Sequence, residues 1–258
     1  MIHTIAYYES VDQAGAYVAL NGVADPRVRV VGDDIQVPTL NQVIAVAVGI
    51  EDVAANRARL VAPSLRELAN FQLVPTNSVT AGAVEPGSPQ RIVDLRGNPL
   101  ALIPGEQLNL ESFANPAAAQ IQWGVVWLAD AVPAPVTGRM FTVRATSATA
   151  LVAGTWSNVA LTFDEDLPRG RYAVVGLHPI SAGMIAARLN FVGGGYTPGV
   201  LGSDLAQDLQ HPMFRYGGLG ILGEFEDIEP PTIDGLSVSA DATQEFFLDL
   251  IQLSKATA

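Results

Sequence analysis

The chain has 258 residues, 49% hydrophobic and only 16% charged, with a formal net charge of −12 and no cysteine. Disulfides and thiolate chemistry are excluded. Surplus acid without any Lys/Arg run also argues against direct nucleic-acid binding through counterion release.

A globular chain is ordinarily about a quarter charged. One this poor in charge is expected to bury much of its surface against copies of itself. The alternative reading is a high alanine content, which raises the hydrophobic share without making a sticky surface. The longest apolar run, residues 43–50, is far short of a membrane span. Residues 1–20 have neither the basic start nor the apolar core of a signal peptide.

In chain order, residues 2–8 read as a strand or docked arm and residues 10–20 as helical. Residues 28–31 and 35–37 read as strands flanking a Gly32-Asp33-Asp34 turn. Residues 42–50, rich in Val, Ile and Ala on both faces, read as a central strand. Ser64 and Glu67 stand at capping-box spacing and predict a short helix over 64–70. The Pro-, Gly-, Ser- and Thr-rich stretch 75–90 reads as a long surface loop. Short strands follow at 91–95, 100–103 and 107–113. In 120–129, Ile121, Trp123, Val125 and Trp127 share one face. Two Trp there read as sheet core, with a sugar-stacking platform as the alternative.

Residues 131–138, with Pro133 and Pro135, read as a semi-rigid linker at the midpoint. Beyond it the pattern predicts strands at 139–146, 158–163, 172–177, 184–191, 214–225, 233–238 and 245–253. Phe141, Val143 and Ala145 share a face, and 172–177 with 184–191 read as a hairpin about a turn at 179–183. Residues 193–213 read as a second long loop, with one helical turn at 203–210 capped by Ser203. No internal sequence repeat is visible. The expected fold is all-β: an antiparallel β-sandwich of jelly-roll type, as two jelly rolls in tandem (1–132 and 139–258, linked by 133–138) or as one enlarged jelly roll.

The chemistry-bearing residues form no motif. His3, His178 and His211 have no second His at metal-ligand spacing. Asp164, Glu165 and Asp166 crowd carboxylates that would suit calcium, but no Asp-x-Asp-x-Asp-Gly loop follows, and a solvated turn is the simpler reading. Glu224, Glu226, Asp227 and Glu229 read the same way. Gly193-Gly194-Gly195-Tyr196-Thr197 lacks the Gly-Lys-Ser/Thr ending of a phosphate loop, and no serine sits in a Gly-x-Ser-x-Gly elbow. No catalytic, cofactor or metal residue is assigned, and no enzyme activity is expected.

The strand series, the Pro133-Ala134-Pro135 linker, the loops 75–90 and 193–213 and the charge-poor composition together resemble viral jelly-roll capsid proteins, at the compact end of the double jelly-roll lineage. The resemblance implies a structural virion subunit, forming trimeric capsomers of an icosahedral shell and made in the host cytoplasm. Its partners would be copies of itself and other shell proteins. Residues 1–20 hold no Arg or Lys, so genome contact through a basic arm is not expected. The competing class is a lectin-like, carbohydrate-binding sandwich that would use Trp156 and Tyr196. A cupin-type enzyme is disfavoured by the missing His cluster.

Overall fold

The computed structural model describes residues 1–13, 15–51, 57–66, 71–73, 77–78, 86, 90–114, 117–204 and 209–255. The described residues are antiparallel sheets in sandwich-like arrangement with very little helix. The chain divides into two compact units, one of Ile2–Gly87 and Arg91–Val132, the other of Met1, Ser88–Gln90 and Pro133–Ala258.

The first unit holds β1 (Ile2–Gln13), β2 (Val18–Ala19), β3 (Val30–Val31), β4 (Asp34–Gln36), β5 (Gln42–Ile50), β6 (Arg57–Val61), β7 (Phe71–Leu73), β8 (Asn77–Ser78), β9 (Val93–Asp94), β10 (Leu100–Ala101), β11 (Gln107–Phe113) and β12 (Ala117–Ala129). One sheet runs β1-β12-β5-β10, with β8 and β9 also on β5. The other runs β3-β4-β11-β6-β7, with β2 also on β11. Only the short β5–β8 pairing is parallel among these.

Both tryptophans of β12 are fully buried, so Trp123 and Trp127 are core and no stacking platform. Gly49 stands directly opposite Trp123 in the ladder, and a Cβ there would fall inside the indole ring. The glycine is therefore the space the ring occupies. Gly124 makes the same allowance for Leu110.

Three readings of this half are corrected. Residues 10–20 are not helical: β1 continues to Gln13, paired with β12 along its length, and β2 follows. Ladder bonds and the buried face of Ile5 and Tyr7 outweigh local helix propensity. The short helix is Pro63–Arg66, and Ser64 does not cap it. Its N–H (3.0 Å) and hydroxyl (2.6 Å) both donate to the Glu106 carboxylate, which also takes the Ile103 N–H at 2.7 Å. A negative charge from a neighbouring turn thus satisfies the helix start. Glu67 and the rest of 67–70 lie outside the described residues. So does most of the loop 75–90, within which Asn77–Ser78 forms β8.

The second unit holds β13 (Met140–Ser147), β14 (Ser157–Val159), β15 (Thr162–Phe163), β16 (Gly170–Ile180), β17 (Met184–Asn190), β18 (Gly199–Leu201), β19 (Gly223–Glu226), β20 (Thr232–Ser237) and β21 (Gln244–Lys255). Its sheets run β15-β13-β21-β16-β19 and β14-β20-β17-β18.

Four readings change here. β16 and β17 are not a hairpin; they belong to opposite sheets, and Ser181-Ala182-Gly183 turns the corner between them. Asp241 holds that corner through the Ser181 hydroxyl (2.5 Å) and the Ala182 N–H (3.0 Å). The stretch 158–163 is two strands in different sheets, β14 and β15. In 214–225 only the end is strand; before it come a 3₁₀ turn at Pro212–Phe214 and glycines at positive φ, Gly217 (80°) and Gly220 (75°). The loop 193–213 contains β18; of the helical turn read over 203–210, residues 205–208 lie outside the described residues, and Ser203 bridges to Ile180 instead of capping. The linker is tied down, with the Val136 N–H donating to Gly217 O at 3.1 Å.

Candidate functional site

A dense cluster of polar groups in the second unit lies on the face of β21 that bears Asp249. Asp249 is fully buried. Its carboxylate accepts Arg215 Nε (2.6 Å) and a second Arg215 nitrogen (2.9 Å), the Thr142 hydroxyl (2.7 Å) and the Tyr216 N–H (3.1 Å). Burial pushes its pKa up, but Arg215, Thr142 and the Tyr216 amide outweigh burial and hold it below the ordinary value of 3.8. The same pairing holds the Arg215 guanidinium above its ordinary value against the effect of burial. Gly176 makes this possible: a Cβ there would strike the Asp249 carboxylate and the Arg215–Tyr216 backbone. Tyr216 itself takes φ +52°, strained for a side-chain-bearing residue.

On the opposite face of the same sheet lies a cavity of about 550 Å³, lined by Arg139, Phe141, Glu165, Asp166, Tyr172 and Gln252 among others. The Tyr172 hydroxyl donates to Pro168 O, four residues upstream, and accepts from Gln252 Nε2 at 3.3 Å. This back-bond pins the 164–168 turn, as a tyrosine corner pins a Greek-key crossing. Its ring stacks on Phe225 (5.6 Å) and meets Phe141 edge-on (6.1 Å). Burial, then the charge of Asp227, pushes the Tyr172 hydroxyl above its ordinary pKa, with Gln252 opposing.

Phe141, which shares a face with Val143 and Ala145, lines this cavity and is 38% exposed. Asp164 is drawn off the acidic turn by Arg144 (2.6 Å), which also meets Glu245 at 3.1 Å. Glu165 and Asp166 are left exposed at the rim. The three carboxylates therefore do not converge. Among the described residues no group of three or more His, Asp or Glu could hold a metal ion.

Each histidine has its own local partner. Buried His3 Nε2 stands 3.2 Å from buried Asp25 Oδ2. His178 is buried on β16, with Nε2 3.1 Å from Ser203 Oγ. A Ser–His contact suggests a nucleophile, yet both residues are buried and neither lines a described cavity. His211 Nδ1 accepts the Met213 N–H at 3.3 Å and caps the 3₁₀ turn. Trp156 is half-buried, and Arg188 lies over its ring at 4.2 Å while pairing with Asp234 at 3.1 Å. One face of the indole is thus already occupied. Tyr196 is half-buried beside Gly193–Gly195. Glu224 pairs with Arg171, and Asp227 accepts the Gly170 N–H, so that acidic cluster is structural in part.

Sequence reasoning missed Gln90 and Gln210. Gln90 Nε2 donates to Gly202 O (2.6 Å) and Gln210 Oε1 (2.9 Å), and Gln90 Oε1 accepts the His211 N–H. Lone glutamines carry no spacing signal that would have revealed this pair.

No protein-family model, curated protein or solved structure matches the chain.

Proposed function

We propose that the chain is a self-assembling shell subunit built from two tandem jelly rolls, acting as a capsid protein in trimeric capsomers of an icosahedral virion. One observation carries the reading: strand order. Let β13, β14, β16, β17, β18, β19, β20 and β21 be strands one to eight of the second unit. Its sheets then run 1-8-3-6 and 2-7-4-5, with β15 added at the edge. Such an order is expected when one long antiparallel ribbon is wound into a sandwich, and it supports the jelly-roll reading.

The first unit follows the same order once β3, at a sheet edge, and β8, on β5, are set aside. With β1, β5, β6, β7, β11 and β12 as strands one, three, four, five, seven and eight, β2 and β4 share place two and β9 and β10 place six. A fold does not name a function. Yet a duplicated sandwich, a charge-poor chain and the lack of any catalytic constellation among the described residues all favour building material over chemistry. Three such chains would supply six sandwiches to a pseudo-hexagonal capsomer. The lectin-like reading loses ground because Arg188 covers a face of Trp156.

Sedimentation and electron microscopy of the purified protein test this. Trimers or closed shells are expected. A monodisperse monomer at micromolar concentration in every salt would overturn the structural reading.

A further inference from the structure

Among the described residues, each unit has a strand edge with no strand paired along it. In the second unit, β15 covers only Ala145 and Thr146 of β13, and the Asp164 N–H to Arg144 O bond (3.1 Å) is the last on that side among the described residues. Backbone groups alternate sides along a strand. The N–H and C=O of Thr142 and Met140 therefore point outward beyond Arg144, with no strand paired to them among the described residues. The 550 Å³ cavity opens next to this edge, with Phe141 at its mouth and Glu165 and Asp166 on its rim.

In the first unit, β3 is the outermost strand of its sheet. The Gln36 N–H to Arg29 O bond (2.8 Å) and the Val30–Ile35, Val31–Asp34 register direct Arg29 and Val31 toward β4. The backbone groups of Val30 and the carbonyl of Val28 then face outward. Arg29 is exposed and Val31 is 36% exposed.

We propose that β3 of one copy pairs antiparallel with the free edge of β13 in a second copy, making a head-to-tail contact between subunits. This deepens the self-assembly reading and rests on it. Pairing Val28 with Thr142 and Val30 with Met140 joins the outward groups of both strands. It sets Arg29 opposite Phe141. Opposite residues in an antiparallel pair share a face, so the guanidinium reaches the phenyl ring and the carboxylates of Glu165 and Asp166. At the other end Val31 meets Arg139, with Asp33 and Asp34 of the β3–β4 turn just beyond. Two exposed apolar side chains are covered and opposite charges meet at both ends. Each copy brings one β3 edge and one β13 edge, so the contact is heterologous. Such contacts propagate around a ring when the rotation closes.

Sedimentation velocity decides it. Val30→Pro and Met140→Pro each remove an outward N–H and leave the ladder to β4 or β21 intact. Each variant alone is expected to drop to the mass of a single chain. Mixed one to one, they keep one good β3 edge and one good β13 edge between them. They should form a two-chain particle and nothing larger. In a second pair, Arg29→Glu, which sets like charges against Glu165 and Asp166, is expected to weaken assembly, and adding Glu165→Arg to the same chain to recover it.

Folded proline variants that sediment like the wild type, or a mixture that grows to full size, would overturn the edge pairing while leaving self-assembly standing. If the prolines unfold the protein, the charge pair decides: assembly unaffected by Arg29→Glu overturns the contact. A wild-type monomer in all salts overturns both readings.

Discussion

Removing the Asp249 carboxylate leaves the Arg215 guanidinium, among the described residues, with the Tyr216 hydroxyl as its one remaining side-chain acceptor. Breaking one side of a buried ion pair costs about 3 kcal/mol or more, so Asp249→Ala should lower the urea midpoint by a corresponding amount. The pH dependence follows from the depressed pKa. The unfolded chain binds the proton more readily than the folded one. The stabilisation is therefore complete above the ordinary value of 3.8 and is lost as pH falls through the lower folded value. Urea titrations from pH 7 down to pH 2 should show a steeper acid loss in the wild type than in Asp249→Ala. Parallel curves would contradict this. The neighbouring Gly176→Ala, which drives a methyl into the same carboxylate, should cost about 1–3 kcal/mol.

Elements were legible where a strand carries its own pattern and obscure where its neighbour decides. Gln107–Phe113 is found at the bounds its sequence suggests, because Leu108, Leu110 and Ser112 recur at every second position and are all buried. Residues 158–163 alternate just as cleanly, yet the chain changes sheets within them, since period two is blind to which sheet a residue joins. A short helix here was legible from the Ser64 and Glu67 spacing, but the group that satisfies its start lies 42 residues from Ser64, at Glu106. No local pattern encodes such a partner. Glu106→Ala should remove three hydrogen bonds at that turn and cost about 1–2 kcal/mol, within the range for lost caps. Thermal denaturation would detect it as a lowered midpoint. The open edges of β3 and β13 were illegible for a similar reason: an edge is defined by the strand that is missing beside it. Gly49 is the opposite case, a glycine in an apolar run whose need appears only when Trp123 stands opposite. Gly49→Ala should destabilise by about 1–3 kcal/mol through overpacking.

At the scale of the whole molecule, the balance of charge and apolar surface governs association. Each chain carries −12, so packed copies repel, and added salt screens that repulsion within about 10 Å at 0.1 M. Strand pairing and apolar burial do not weaken as salt rises; excluded salts such as sulfate reinforce the burial. A few ion pairs at a contact rim would be screened in the other direction, but exposed pairs of that kind contribute only about 0–1 kcal/mol. Repulsion spread over whole subunits should outweigh them. Assembly is therefore expected to hold or strengthen from low to high ionic strength, read by light scattering across a sodium chloride series at fixed protein concentration. Dissociation as salt rises would mean that ion pairs, not sheet edges and apolar surface, hold the copies together.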